Sequence, residues 1–227
     1  MAGETGRDGS GERRVKVWDL PTRLFHWTLA LAILAAYLSH DFLTIQRHMQ
    51  IGYLVLTLLA FRVVWGLVGS DTSRFWHFVP TPRRTAAYTR ELLRGRPPDT
   101  VGHTPLGSLL IYAMLALVAF QAGTGLFAND AIFSEGPLAK LVSDATSDLL
   151  TDWHETSFWV LVGCIAVHVT ANTLYELVLR QPLIRAMITG TKPLPADAPA
   201  PRLRPAWWGL PALALAAGAV WYVVTQV

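Results

Sequence analysis

Two histidines, His154 and His168, stand 14 residues apart in the apolar stretch from Trp153 to Glu176. In an α-helix this separation spans about 21 Å and comes within about 40° of a whole number of turns. The two imidazoles therefore leave the same side of one helix at two depths. Imidazole is a metal ligand, and metal-binding groups inside a bilayer are costly and usually functional. We interpret this helix as one wall of two stacked haem sites.

Length and composition place these histidines in a membrane. The chain has 227 residues, 52% of them hydrophobic, and a positive mean hydropathy. A transmembrane helix needs roughly 20 predominantly apolar residues. Stretches that approach or reach that length lie at residues 24–39, 51–69, 105–127, 153–179 and 206–224. The sequence therefore predicts an all-α integral membrane protein with five spans.

The first apolar stretch has a second interpretation. Basic residues precede it, as they do in a cleavable signal peptide. No small-residue cleavage site follows, because the stretch ends in Tyr37-Leu38-Ser39-His40-Asp41-Phe42. We therefore expect a helix that is retained.

Lysine and arginine are unevenly distributed among the predicted loops. Most of the 19 lie in the N-terminal segment, in the loop between spans two and three, and in the loop between spans four and five. The alternate loops hold Arg47 and Lys140 beside several acidic residues. The positive-inside rule then predicts a cytoplasmic N-terminus and, with five spans, a periplasmic C-terminus. The excess of basic residues therefore reflects the topology of the chain, and it does not indicate binding to nucleic acid.

The single cysteine, Cys164, lies in the middle of the fourth span. One cysteine excludes a disulfide framework within the chain, a thiolate metal cluster and the C-x-x-C-H attachment of c-type haem. Any haem is therefore held non-covalently.

Alternating helix directions decide which histidines lie level. The first span runs outward and the fourth runs inward, so His26 and His168 both lie toward the cytoplasm. The second span also runs inward, which places His48 near the periplasm beside His154. A b-type haem takes an axial ligand on each face of its iron. We predict two b haems, one held by His26 and His168 and the other by His48 and His154.

Three further histidines are weaker candidates. His40, in the turn after the first span, is the alternative to His48. We expect His77, in the basic loop, to be solvated. His103 precedes the third span and is expected to be a capping or interfacial residue, with contact to a haem propionate or a quinone as the alternative.

Arg62 is the one formal charge well inside a predicted span. It follows His48 by 14 residues, so we expect it at the depth of the cytoplasmic haem. A haem propionate would be a bidentate partner there, and snorkelling to the nearby interface is the alternative. Glycines can also let a flat porphyrin approach the backbone, although they equally serve helix packing. Those considered are Gly52, Gly66, Gly107 and Gly163.

Four segments occur in order over about residues 15–190: VWDLPTRLFHW, HMQIGYLVLTLLAFRVVWGLVGS, GHTPLGSLLIYAMLALVAFQAGTGLF and the WHE…H pattern of the fourth span. As an ordered set they resemble the bacterial cytochrome b561 family, most closely its branch related to the b-type cytochrome subunits of nickel-iron hydrogenases. The resemblance implies a four-helix diheme core in the cytoplasmic membrane that passes electrons between quinone and a redox partner. The ligand positions of the family match the four histidines paired above. The additional C-terminal helix departs from the smallest members.

The predicted organisation has four parts. Residues 1–14 form a disordered cytoplasmic N-terminus, 15–190 the cytochrome b domain, 191–205 a Pro/Ala-rich linker and 206–227 the C-terminal transmembrane helix. We expect a diheme cytochrome of the bacterial inner membrane that carries electrons between the quinone pool and a periplasmic partner. A c-type cytochrome, a dehydrogenase or a hydrogenase would suit that role. The alternatives are a superoxide:quinone oxidoreductase and a haem-bearing membrane anchor of a larger oxidoreductase.

Overall fold

The computed structural model describes residues 11–42, 44–130 and 134–226, and the side chains of all of these except 40–42. Most of them are helical. The helices and strands are β1 (Glu12–Lys16), α1 (Leu20–Phe42), α2 (Ile45–Val68), α3 (Pro82–Leu93), α4 (Pro105–Gly125), α5 (Asp144–Leu177), α6 (Leu183–Thr189), β2 (Thr191–Pro195) and α7 (Gly209–Gln226). Short 3-10 turns at Phe75–His77, Ala139–Leu141 and Ala206–Trp208 precede α3, α5 and α7.

Four of the described helical segments are long and apolar enough to cross a membrane. They are Ile45–Val68, Pro105–Gly125, Asp144–Leu177 and Ala206–Gln226. In α4 and α5 few residues of the apolar stretch are buried inside the protein, as expected for side chains that face lipid. The predicted helical membrane architecture is confirmed. α1 has 23 residues but is not among the four, and Thr22, Arg23 and His26 interrupt its apolar stretch near the beginning.

Local sequence signals set several helix ends. Pro82 opens α3, where its fixed φ suits the first helical position and its missing N–H costs nothing. Gly190 ends α6 with φ 84° and donates its N–H to Ala186 O. This left-handed conformation favours glycine because it has no Cβ.

The described chain divides into two compact units. The first unit contains the described part of Met1–Arg23, together with Trp65–Ile111 and Val167–Trp208. The second unit contains Leu24–Val64, Tyr112–Ala166 and Gly209–Val227, as far as these are described. Each is considered by itself.

In the first unit β1 and β2 form an antiparallel pair, with Glu12 opposite Pro195 and Lys16 opposite Thr191. Its small hydrophobic core is Val15, Val17, Trp18, Ala186 and Leu194. Arg13 donates to the backbone oxygens of Ala196 (3.1 Å) and Ala198 (2.7 Å). The predicted disorder is therefore wrong for residues 12–14, which belong to β1, and residues 1–10 lie outside the described part of the chain. The pairing lies between segments far apart in sequence, so composition alone did not indicate it.

The predicted linker of residues 191–205 is also held in place. Its first five residues are β2. Further along, Asp71 donates its N–H to Arg202 O (3.1 Å), and the Arg202 N–H returns a bond to Asp71 Oδ2 (3.0 Å). The Arg204 N–H donates to Ser70 Oγ (2.9 Å). The segment that leads into α7 is thus fastened to the turn that follows α2.

In the second unit the aromatic rings of Tyr37 on α1 and Phe158 on α5 stack, with centroids 5.3 Å apart and planes 11° from parallel. α7 buries its small residues Gly209, Ala212 and Ala216 and leaves larger apolar residues exposed. Small residues let helix backbones approach closely, which is the usual packing solution within a membrane.

Candidate functional site

His48, in the first turn of α2, and His154, on α5, come together in the second unit. Their ring centroids are 6.0 Å apart and their planes meet at 83°. An imidazole nitrogen binds a transition metal at about 2 Å. Two rings at this spacing can therefore face a single iron. We refer to His48 and His154 as the histidine pair.

Each member of the histidine pair has its Nδ1 bound to a backbone carbonyl of a neighbouring helix. His48 Nδ1 donates to Ala36 O on α1 (2.9 Å), and His154 Nδ1 donates to Gln121 O on α4 (2.8 Å). A carbonyl oxygen only accepts, so Nδ1 carries the proton and Nε2 keeps its lone pair. This arrangement fixes the tautomer and makes the ligand more basic, and it is usual for histidines that bind metals. The donor set fits haem iron.

The fourth helix supports His154 through Gln121. Ser157, which is buried on α5, donates its hydroxyl to Gln121 Oε1, so the amide and the backbone of Gln121 both contact α5. Gln121 was not among the residues predicted from the sequence. The signal that could have found it is one glutamine inside an otherwise apolar span.

Gly125, the last residue of α4, lies against the ring of His154. A Cβ at position 125 would stand 2.8 Å from His154 Cε1, closer than real Cβ contacts, and 3.0 Å from Nδ1, which is tighter than most of them. At Gly123, two residues earlier, a Cβ would have nothing within 4 Å. A side chain at position 125 would therefore displace the imidazole.

The glycines considered for porphyrin approach divide into two kinds. Gly66 is packed by the ring of Phe75, and a Cβ on Gly107 would meet Thr104 Oγ1 at 2.9 Å. Protein atoms fill these two places, so the porphyrin interpretation is wrong for them. Gly52 and Gly163 have nothing within 4 Å of a Cβ, which leaves open space at both positions.

His26 and His168 belong to different units. In the second unit the His26 ring, half-buried on α1, meets the Trp27 ring edge-on at 4.9 Å. In the first unit the Asn172 amide donates to the backbone oxygen of His168 (2.7 Å) and lies 3.4 Å from its Nδ1. Their joint binding of a haem stays a prediction.

Arg62 is 5% exposed on α2 in the second unit. A buried guanidinium does not reach the surface, which argues against snorkelling. Of the weaker histidine candidates, His77 is exposed as expected and binds Asp71 O through Nδ1 (2.8 Å). The side chain of His40 lies outside the described residues.

His103 packs between two aromatic rings of the first unit, Trp18 at 4.7 Å and Phe78 at 4.2 Å between centroids. Beside it is a cavity of about 270 Å³, lined among others by His77, Arg84 and Thr100. Imidazole, guanidinium and hydroxyl groups meet there around an aromatic wall. This combination suits a small aromatic ring that carries polar oxygens.

A buried carboxylate organises the beginning of α1 in the first unit. Asp19 is 2% exposed and accepts the N–H of Thr22 at Oδ1 (2.7 Å), which caps the helix. The indole N–H of Trp65 lies 3.3 Å from both carboxylate oxygens, and Ser73 Oγ donates to Oδ2 (3.0 Å). Asp19 was not among the residues predicted from the sequence, although an aspartate immediately before a helix is a capping signal.

No group of three His, Cys, Asp or Glu side chains that could hold a bare metal ion occurs among the described residues. A haem does not need such a group, because the porphyrin supplies the equatorial ligands and the protein only the axial ones.

The family described as prokaryotic cytochrome b561 matches residues 17–190 of this chain. The chain belongs to the prokaryotic cytochrome b561 family. It is therefore a b-type cytochrome of a membrane, and its cofactor is haem b. The histidine pair of this b561 cytochrome has the ligand chemistry that such a cofactor requires.

Curated relatives of the cytochrome carry the name probable Ni/Fe-hydrogenase B-type cytochrome subunit. The protein of that name from Azotobacter vinelandii is 27% identical, in a match that covers 84% of this chain and 96% of the relative. The one from Azotobacter chroococcum mcd 1 is 26% identical with the same coverage. The one from Bradyrhizobium diazoefficiens is 27% identical over 82% of this chain and 90% of the relative. No solved structure matches the chain.

Proposed function

We propose that this b561 cytochrome holds two b haems and carries electrons across the bacterial inner membrane between quinone and a periplasmic redox partner. The observation that carries the proposal is the histidine pair, in which each Nδ1 donates to a backbone carbonyl and the two rings lie 6.0 Å apart between centroids. In this tautomer Nε2 is the nitrogen that can bind a metal. The tautomer and the spacing of the rings are those that axial ligation of a haem iron needs.

The second haem is assigned to His26 and His168. His168 follows His154 by 14 residues on α5, so the two leave the same side of that helix at different depths. Arg62 follows His48 by the same interval on α2 and is buried. Its planar guanidinium suits a haem propionate, and the pair would neutralise a charge that is costly inside a membrane.

Bound haem supplies one-electron iron chemistry, and the side chains determine how it is used. His48 and His154 would hold the iron through Nε2, and Ala36 O and Gln121 O keep both rings in orientation. These hydrogen bonds make the imidazoles more basic, which would favour the oxidised state of a bound iron.

The topology proposed here has the N-terminus in the cytoplasm and the C-terminus in the periplasm, with α1 as a fifth span. The distribution of lysine and arginine supports it. On this topology the cavity beside His103 faces the cytoplasm. We assign quinone to that face, since the cavity offers an aromatic wall and polar donors.

The redox partner is proposed to be a hydrogenase or a comparable metal-cluster protein. The support is that relatives which match this chain over nearly their whole length are named as hydrogenase cytochrome subunits. Residues 128–152, which include the first turns of α5, carry five acidic residues and one lysine, and this charge would attract a basic surface such as that of a c-type cytochrome. Co-purification of a metal-cluster subunit would favour the first partner. Rapid oxidation or reduction by a soluble c-type cytochrome would favour the second.

The test is a reduced-minus-oxidised spectrum with haem quantitation on the purified chain. We expect two low-spin haems per chain, loss of one in His154→Ala or His48→Ala, and loss of the other in His168→Ala or His26→Ala. His77→Ala is the matched control, because His77 is exposed outside the spans, and it should keep both haems. A single haem in the parent protein, or two haems in His154→Ala, would refute the assignment.

A further inference from the structure

The amphipathic helix α3 is fastened to the end of a membrane span. Tyr88, 4% exposed, is its buried residue, and the Tyr88 hydroxyl lies 3.0 Å from that of Tyr175 on α5. Tyr175 stands two residues before the end of α5 at Leu177. Burial and the Tyr175 hydroxyl raise the pKa of Tyr88, so its proton stays available for this bond. The bond holds α3 level with the end of the span, where the headgroup layer lies.

The face of α3 opposite Tyr88 combines arginines with an exposed leucine. At about 100° per residue, Arg83, Ala86, Arg90 and Leu93 all lie within about 40° of the direction opposite Tyr88. All four are exposed, and Leu93 is 83% exposed. A leucine with guanidinium neighbours and almost no protein contact is the composition of helices that lie in a membrane interface.

Charge on this part of the chain is strongly positive. Residues 83–96 contain five arginines and one glutamate. That glutamate, Glu91, binds Arg94 at 2.7 Å and lies on the other side of the helix. The face with Arg83 and Arg90 therefore has no acidic residue of its own helix beside it.

We propose that α3 is an interfacial helix that binds anionic phospholipids: Arg83 and Arg90 bind the phosphates, and Leu93 enters the boundary of the acyl chains. Guanidinium groups match phosphate oxygens in a bidentate geometry. Trp76 and Val79, both half exposed just before α3, extend the apolar contact, and tryptophan is typical of that layer. The level at which Tyr175 holds the helix favours lipid over a soluble acidic protein as the occupant. The proposal depends on the spans crossing a membrane and does not depend on the haem ligands.

The first experiment counts phospholipids on the full-length, haem-loaded cytochrome. The protein is extracted from nanodiscs of phosphatidylcholine and phosphatidylglycerol, and native mass spectrometry counts the phosphatidylglycerol retained. Arg83→Gln/Arg90→Gln is compared with Arg94→Gln/Arg96→Gln, which removes the same charge from the same loop. We expect the parent and the second double variant to retain phosphatidylglycerol and the first to lose most of it. Equal retention by both double variants overturns the proposal.

The second experiment measures depth. A spin label on Leu93→Cys, in a Cys164→Ser background, is compared with one on Pro98→Cys in vesicles of the same lipids. The Leu93 label should be more accessible to oxygen and less accessible to a water-soluble nickel complex than the exposed Pro98 label. Equal exposure to water, or shielding that appears only when soluble protein is added, contradicts lipid as the occupant. The haem spectrum should be unchanged in every variant, so either result leaves the haem assignment to its own test.

Discussion

Replacing Gly125 by alanine tests the histidine pair through a single methyl group. A Cβ at position 125 would lie 2.8 Å from Cε1 and 3.0 Å from Nδ1 of His154. The ring must therefore withdraw by about 0.6 Å or more to reach the ordinary contact range of 3.4–4 Å, since packed interiors have no spare room. The same movement strains the 2.8 Å bond from His154 Nδ1 to Gln121 O.

The magnitude follows from those two contacts. Overpacking costs about 1–3 kcal/mol, which corresponds to haem binding weaker by about 5- to 150-fold. Complete loss of the Nδ1 hydrogen bond would remove about 1 kcal/mol. For a one-electron couple 1 kcal/mol corresponds to about 40 mV. A less basic imidazole stabilises the oxidised iron less, so the potential of the haem held by the pair should rise by up to that amount.

The assay is a redox titration of the reduced-minus-oxidised spectrum with haem quantitation, and Gly123→Ala is the control. Both substitutions add a single methyl group near the same end of α4. Gly123→Ala meets nothing within 4 Å, so it should keep the parent potential and haem content. If the two variants behave alike, the geometry around His154 does not govern the haem.

Two further predictions concern the first unit. Asp19→Ala would leave the donors of Trp65 and Ser73 buried without their acceptor and remove the cap of α1, so it should lower the free energy of unfolding by about 3 kcal/mol. Asp19→Asn should lose less, and a thermal melt of Asp19→Ala that matches that of Asp197→Ala, at an exposed position, would contradict this. Burial lowers the pKa of Lys192, with the charge of Asp99 acting in the opposite direction. Between that lowered value and the ordinary 10.5 the unfolded chain binds more protons than the folded one, so stability rises with pH in this window. Relative to Lys192→Met, the wild-type melting temperature should therefore increase from neutral pH toward about pH 10, and a pH-independent difference would refute the effect.

The main helices were predictable because a membrane span needs an uninterrupted apolar run. The predicted run of residues 105–127 became α4, Pro105–Gly125, and that of residues 153–179 lies largely within α5, Asp144–Leu177. Trp65 shows the limit of such reasoning. Its position near the end of the second predicted span would suit the interfacial aromatic belt that membrane proteins commonly have, whereas the structure buries it fully against Asp19.

The sequence by itself determined the class of protein, the histidines worth considering and the expectation that His48 and His154 lie side by side. These follow from residue type and helical periodicity, which are local, and from the direction of the spans, which alternates along the chain. Tertiary structure alone decided what holds the pair. The acceptors Ala36 O and Gln121 O are backbone atoms, and every residue has one, so no residue type announces them. The β1–β2 pairing was hidden for a related reason: strand pairing depends on which distant segments meet, and these two strands have five residues each, with several charges in β1 and two prolines in β2.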